Sequence, residues 1–526
     1  MPADISPSVR MRVNAIKGPG EKLPDGIYEN LPFRNQFVLG PAYVESLPSW
    51  QRLKVSGPLC LTAHPALNTL QATRGDTSIT LLGYIIDPDN PDHGDEDILN
   101  RMILHLSGCD GFFEQTYKFG GRWVLIVNDG KNVRLFNDAA GLRQVFYTDM
   151  SQTGVLWCAS QPRIIAGLCG LEMDPDAVDF IDSYEFRKKL EYRFPAYSSP
   201  YREIAHLLPN HYLDLKTGTR HRHWPNGPLK DMSPDDAIEE AASMLTSLLT
   251  GISRRFDLAI SLTAGLDSRI VLAASRSLRD RISFMTVRQI DKPDDHPDVA
   301  VASELLSRLA LKHDVVRSSL IMEPEFLRVF SNNVPVAHAI YAPDAHAILH
   351  YSKQTMAAVT GSVSEIGRCS FRSKLSKSDR ALISARDLAS LQGMGESRFA
   401  DDHFTAWLDQ LGDIYNYHIL DLFEWEQGHG SWLAMCQLEF DIAWREIFTP
   451  FNCRHLLMTL LSVNDKYRKP PYELHEKLIR RLWPELLSVP VNPHSLKRNK
   501  LYALKSFARN RLRRYVPDSV KRYLRA

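Results

Sequence analysis

The stretch from Phe256 to Arg276 constrains the fold of this chain more than any other. Phe256 to Leu262 is a short apolar run of the length of a buried strand. Thr263, Ala264 and Gly265 follow as a turn of small residues, and from there Leu266, Ile270, Val271 and Ala274 recur at helical spacing. Strand, small-residue turn and helix together make an anion site. The first amides of the helix lack partners within it and carry partial positive charge, and small residues let a phosphate approach them. No lysine follows Gly265, which excludes the Gly-Lys-Ser/Thr phosphate loop.

The sequence after this stretch alternates. Ile282 to Val287 reads as a second strand. Pro297 opens a helix carrying Ala302, Leu305, Leu306 and Leu309, and His313 to Val316 reads as a third strand. Such alternation predicts a parallel sheet with right-handed crossovers, whose ligands bind at the carboxyl ends of the strands. The Thr263–Ser268 loop and the segment after Val287 then share one rim. A further strand-to-turn runs from Ala357 through Gly361, Ser364 and Glu365 to Arg368. Upstream, Ser233 caps a helix opened by Pro234 and striped by Ile238, Ala241, Ala242, Leu245, Leu248 and Leu249, with Gly251 at its end. The domain boundary therefore falls near Trp224 to Lys230. Downstream, Trp407 to Leu422 and Leu433 to Glu446 read as aromatic-rich helices of a buried bundle.

The first half reads as β-rich. Ser78 to Ile86 is a strand ended by Asp87-Pro-Asp-Asn-Pro, and Asp97 to Leu106 a short helix. Arg122 to Val127, the turn Asn128-Asp129-Gly130 and Val133 to Phe136 form a hairpin. Asp138 to Arg143 turns again before Val145 to Tyr147. His206, His211, His221 and His223 cluster in sequence, with His221 and His223 on one face of a strand. No carboxylate or cysteine spacing accompanies them, so they read as core or surface histidines.

The loop resembles the pyrophosphatase-type loop, Ser-Gly-Gly-x-Asp-Ser, of enzymes that turn ATP into an adenylated intermediate and pyrophosphate. Thr263 stands for the Ser and Ala264 for the first Gly, while Gly265, Asp267 and Ser268 match. The first half resembles the N-terminal domain of asparagine synthetase-like proteins, through Asn137-Asp138-Ala-Ala-Gly141 with its aromatic strand and through Leu208 to Leu215. Phe448 to Arg454 and Tyr467 to Pro484 are similar to further segments of that family. The resemblance implies an α+β amidotransferase-like β-sandwich over residues 1–224 and an α/β ATP-binding domain with a parallel sheet over 225–495. A helical C-terminal part and a basic helical tail over 496–526 complete the expectation.

The family's cofactors are ATP and Mg²⁺. The resemblance implies that Thr263 and Ser268 hydrogen-bond pyrophosphate, beside the Ala264, Gly265, Leu266 and Gly361 backbone. Asp267 and Glu365 would hold the metal, and the backbone at Thr286 and Val287 would border adenine. The chain departs from the family at three places. Pro2 replaces the nucleophilic cysteine that follows the initiator Met, so no glutaminase activity is expected. Ser364 replaces a metal-binding Asp. Val491-Asn492 stands where the family has Pro-Lys, which leaves Lys497, then Arg498 or Arg368, as the candidate cation for the phosphates.

At 526 residues, two or three domains are expected, and 44% hydrophobic with 24% charged residues supports real cores. A net charge of +1 gives the whole chain no strong polyanion affinity, and no nucleic acid is expected as partner. The seven cysteines form no C-x-x-C pair. No apolar stretch reaches transmembrane length and the N-terminus lacks a signal-type core. The expected location is cytoplasmic. The tail, with Lys500, Lys505, Arg509, Arg511, Arg513 and Arg514, is a candidate for peripheral contact with an anionic membrane or acidic partner. The expected function is ATP-dependent amide formation from a small or carrier-borne carboxylate and ammonia or an amine. The alternatives are a peptide or antibiotic-type cyclase and a non-catalytic scaffold.

Overall fold

A computed structural model describes residues 26–106, 108–109, 111–183, 191, 193–334, 336–375 and 382–493. Pro2, Lys497, Arg498 and the basic tail lie outside the described residues.

Two six-stranded antiparallel sheets make up the first half. Phe37, Leu39 and Leu61 of one sheet meet Leu82, Val124, Ile126 and Leu135 of the other in a shared apolar core. Each outer face is covered as well. Helix Asp95–Leu104 lays Ile98, Leu99 and Met102 on Ile79, Leu81, Trp123 and Leu125. Helix Pro162–Cys169 lays Ile165 and Ala166 on Val38, Phe146 and Ala159. Strand Thr77–Ile86 therefore buries side chains on both faces, which is why its sequence is a nearly continuous apolar run rather than an alternation.

The hairpin forms, with strands Gly120–Asn128 and Val133–Asn137, but Asn128, read as the start of the turn, is still paired in the ladder opposite Val133. Gly130 adopts φ +87°, a left-handed turn conformation open to glycine. The clustered histidines serve packing: His206 stacks on Phe146 at 4.5 Å and His223 on Phe113 at 4.3 Å. His221 lies on strand Thr219–Arg222, and His223 just beyond it.

The second half holds a five-stranded, all-parallel sheet. Its order is Asp314–Arg317, Ser283–Arg288, Asp257–Ser261, Met356–Val359, Glu446–Phe448. The loop strand Asp257–Ser261 is central, so its carboxyl end has neighbours on both sides. Helix Pro234–Ser253 starts as expected, with Ser233 Oγ accepting from the Asp236 amide at 3.1 Å. The helix ends at Ser253, with Gly251 in its last turn. This glycine is buried inside the helix, where a Cβ would lie 2.7 Å from Ile86 Cγ2, so it permits close packing on the first half.

The helical remainder corrects two expectations and adds one feature. Trp407 to Leu422 is not one helix: Arg398–Asp409 ends, Gly412 turns at φ +65°, and Ile419–Phe423 begins anew. The helix expected to reach Glu446 stops at Phe440, and Glu446 lies in the fifth strand. Between Phe423 and Ala434 the helix widens into a ten-residue π-helix, Glu424–Leu433.

The halves meet over buried polar contacts. Arg122 donates two parallel hydrogen bonds to Asp441, at 2.6 and 3.0 Å. Arg143 reaches Glu446 at 3.3 Å, Tyr84 donates to the Ile447 carbonyl at 2.8 Å, and Asn452 joins the Ala140 amide to Asp138. Among the described residues, no helix is long and apolar enough to cross a membrane.

Candidate active site

Leu262 leaves the central strand with its amide on the Met285 carbonyl at 2.8 Å, and the chain then turns at Thr263. Gly265 is extended and precedes helix Leu266–Ala274. The turn is held by its own side chains. Ser268 Oγ accepts the Thr263 amide at 3.1 Å, and Thr263 Oγ1 accepts the Gly265 amide at 3.2 Å. The Ala264 amide points at Asp298 Oδ1, 3.3 Å away, on the first turn of helix Pro297–Arg308. Lys292 Nζ in turn sits 3.2 Å from Asp298 Oδ2. An anion, the Asp298 carboxylate, thus already faces the loop, with a lysine behind it.

Gly361 closes the loop from the neighbouring strand. A Cβ on this residue would fall 2.4 Å from the Asp267 carbonyl carbon and 2.7 Å from the Ser268 amide. Those are backbone atoms of the loop helix and cannot rotate away. Gly361→Ala is therefore expected to destabilise the protein by about 1–3 kcal/mol through overpacking, read as a lower denaturation midpoint in urea at unchanged slope. An unchanged midpoint would show that the two backbones separate at no cost.

Asp267 lies on the first helical turn, where the turn Ser364–Arg368 meets it. Ser364 Oγ donates to Asp267 Oδ1, and Arg368 Nη2 lies 3.0 Å from Asp267 Oδ2 and 3.5 Å from Glu365 Oε1. Ser364, standing where the resemblance expects an acid, is thus a partner of Asp267. Glu365 Oε2 is buried without a hydrogen-bond partner. The π-helix brings a further acid, Glu424, whose Oε2 is likewise unpartnered.

Burial first, and the Glu365 carboxylate second, push the Asp267 carboxyl up to about 6, against the lowering pull of Arg368 and Ser364. Burial also raises Glu365. Glu424 is pushed up to about 8 by burial and then by Glu365 and Asp421. His429, also on the π-helix, has neither ring nitrogen bonded and is held down to about 3 by burial, then by Arg193 and Arg368. The centre therefore sets two buried carboxyls, Asp267 and Glu365, against the one Arg368 guanidinium, with Glu424 close enough to be raised by Glu365.

Other residues singled out in the sequence fall as follows. Val287 lies in strand Ser283–Arg288 opposite Val316, on the same rim as the loop. Thr286 Oγ1 donates to the Leu262 carbonyl at 2.7 Å. The Asn492 amide donates to the Ala264 carbonyl at 3.1 Å, and the buried Arg269 binds the Leu486, Val489 and Pro490 carbonyls. The segment that ends the described chain is thus strapped onto the loop. Lys497, the candidate cation, lies beyond the described residues. Glu424, His429, Asp298 and Lys292 were not evident in the sequence. A cleft of about 810 Å³ lies elsewhere, lined by Asp174, Phe180, Arg202, Phe399 and His403, none of which belongs to the loop.

No protein family matches the chain, and no curated protein matches it. Among solved structures it is similar to glutamine phosphoribosylpyrophosphate amidotransferase from B. subtilis complexed with ADP and GMP. That likeness has 10% identity and a TM-score of 0.22, and covers 57% of this chain and 66% of that one, just under two thirds. It is also similar to a structure described as the allosteric regulatory enzyme of purine biosynthesis, at 10% identity and TM-score 0.23, covering 58% and 73%. At these TM-scores neither likeness carries an argument for fold or activity.

Proposed function

We propose that the second domain adenylates a carboxylate with ATP and that the acyl-adenylate then yields an amide, without glutaminase activity in the first domain. The observation that carries this reading is the pair of buried carboxyls, Asp267 and Glu365, that share the one Arg368 guanidinium against the first turn of the loop helix at the rim of a parallel sheet. Mg²⁺, when bound, neutralises phosphate charge and favours departure of pyrophosphate. Asp267 and Glu365 are the residues to hold it. On phosphate binding the Thr263 and Ser268 hydroxyls, which bond each other at 3.1 Å, and the Ala264 and Gly265 amides, the latter on Thr263 Oγ1 at 3.2 Å, would turn to the phosphates. Binding of a phosphate on the Ala264 amide requires the Asp298 carboxylate to turn away, which frees Lys292 as a cation at the loop.

A second reading has its own observation. Asp298 already holds the loop amide and Arg368 already lies between Asp267 and Glu365, as they would in a non-catalytic scaffold.

Pyrophosphate exchange into ATP, screened across small and carrier-borne carboxylates, separates the two. The ligase reading expects carboxylate-dependent exchange. It also expects Lys497→Ala to lower the rate by roughly 10²–10³, the cost of one preorganised charge-stabilising group. Loss in Lys292→Ala with full activity in Lys497→Ala would move that role to Lys292. No exchange with any carboxylate, together with no magnesium-dependent ATP binding by calorimetry, would leave the scaffold reading.

A further inference from the structure

Away from the loop, Glu323, His346 and His350 draw together. His346 and His350 stand four residues apart on helix Ala342–Ser352, and so on one face. Their Nε2 atoms are 3.2 Å apart. Glu323, immediately before helix Pro324–Asn333, places Oε2 at 2.5 Å from His346 Nε2 and Oε1 at 4.0 Å from His350 Nε2. Phe326 fixes the His346 ring with an edge contact at 4.9 Å.

Hydrogen bonds alone serve this triangle poorly. If His346 Nε2 carries the proton, that one hydrogen must serve both the Glu323 carboxylate and the His350 nitrogen. If it does not, an ionised Glu323 and the lone pair of His346 repel at 2.5 Å. A cation at the centre would accept all three lone pairs at once. Two imidazole nitrogens and one carboxylate oxygen are the donors of an open zinc site and disfavour Mg²⁺, which takes oxygen ligands and keeps its waters. The side chains of Glu323 and His350 are 47% and 31% exposed, so an ion has a path in and a fourth position for water.

We propose that Glu323, His346 and His350 bind one zinc-class divalent transition-metal ion. The ion would clasp the start of helix Pro324–Asn333 to helix Ala342–Ser352. The same helix carries Asp344, which bonds Ser318 and Gln289 beside the carboxyl ends of two sheet strands. The cluster of His338, Cys436 and Glu439 is a natural control. There the Glu439 carboxylate already accepts the His338 amide at 2.6 Å and its ring Nδ1 at 3.0 Å.

The test uses the full chain, stripped with chelator, dialysed and titrated with Zn²⁺ and separately with Co²⁺. The expected result is one equivalent of Zn²⁺ by calorimetry and a Co²⁺ visible spectrum without a thiolate charge-transfer band. Glu323→Gln and His350→Gln, both at partly exposed positions and checked for folding by circular dichroism, should weaken binding by more than the roughly 10–100-fold typical of losing a hydrogen-bond partner of a ligand. Cys436→Ser should bind as wild type does. Absence of stoichiometric binding in wild type would overturn the proposal. So would unchanged affinity in both folded variants, or loss of the ion in Cys436→Ser.

Discussion

Arg122→Ala is expected to lower the stability of the whole protein by about 3–5 kcal/mol, the range for removing one partner of a buried ion pair. Arg122 and Asp441 are both buried, and their two hydrogen bonds join the first half to the second. Burial by itself would lower the Arg122 pKa, yet the Asp441 carboxylate outweighs it and holds the guanidinium charged. Truncation leaves the buried Asp441 carboxyl without its two-bond partner, with Asn35 at 3.4 Å and the charges of Arg34 and Arg143 as what remains around it among the described residues. It also removes the bond from Arg122 Nε to the Leu142 carbonyl. Because a domain retains only about 5–15 kcal/mol in total, the loss should appear as a much lower urea midpoint and as two transitions where wild type shows one. The double variant Arg122→Met, Asp441→Leu should recover most of it, since apolar replacement of both partners removes the uncompensated charge. An Arg122→Ala midpoint equal to wild type would mean that the halves are held together without this pair.

What was legible in the sequence was local. The loop, the hairpin, the Ser233 cap and the alternation around Pro297 announce themselves within windows of about ten residues, where periodicity and turn chemistry decide. The fifth strand did not. Glu446-Ile447-Phe448 is too short to show a period and becomes a strand because Ala358 and Val359 offer Ile447 and Phe448 free ladder positions. Gly251 carries the helix-ending signal and lies in the helix's last turn, and what the sequence does not show is that the glycine also leaves room for Ile86. The π-helix was hidden for a related reason. Glu424 to Leu433 carries Gly428 and Gly430, which read as helix breakers, yet the chain stays helical; Gly430 passes so close to Pro209 that a Cβ would lie 2.4 Å from the ring. With it went Glu424 and His429. Asp267, Glu365 and Arg368 were each visible from the loop pattern, but that Arg368 stands between the two acids is tertiary information.

Asp267→Asn is expected to do two opposite things. Asp267 binds its proton more tightly in the folded protein than in the unfolded chain, because its carboxyl is raised from 3.8 to about 6. Its contribution to stability is therefore present below about pH 4 and is lost as the pH rises through about 6. At pH 7.5 the ionised carboxylate costs the ligand-free fold on the order of 1–3 kcal/mol, at about 1.4 kcal/mol per pKa unit. Asparagine carries no charge to repel Glu365 and still accepts from Ser364. The variant should thus melt higher than wild type at pH 7.5, and the advantage should shrink at pH 5, where the wild-type side chain is largely protonated. On the proposed function, the same variant should lose magnesium-dependent ATP binding, because the charge that strains the fold is the charge that holds the metal. Paired melting curves at the two pH values and calorimetry with ATP, with and without Mg²⁺, read both effects. A stability gain without loss of ATP binding would keep the electrostatics and remove Asp267 from the metal site. A variant that melts lower at pH 7.5 and binds ATP as wild type does would make Asp267 a structural acid, one that serves the positive end of the loop helix and nothing more.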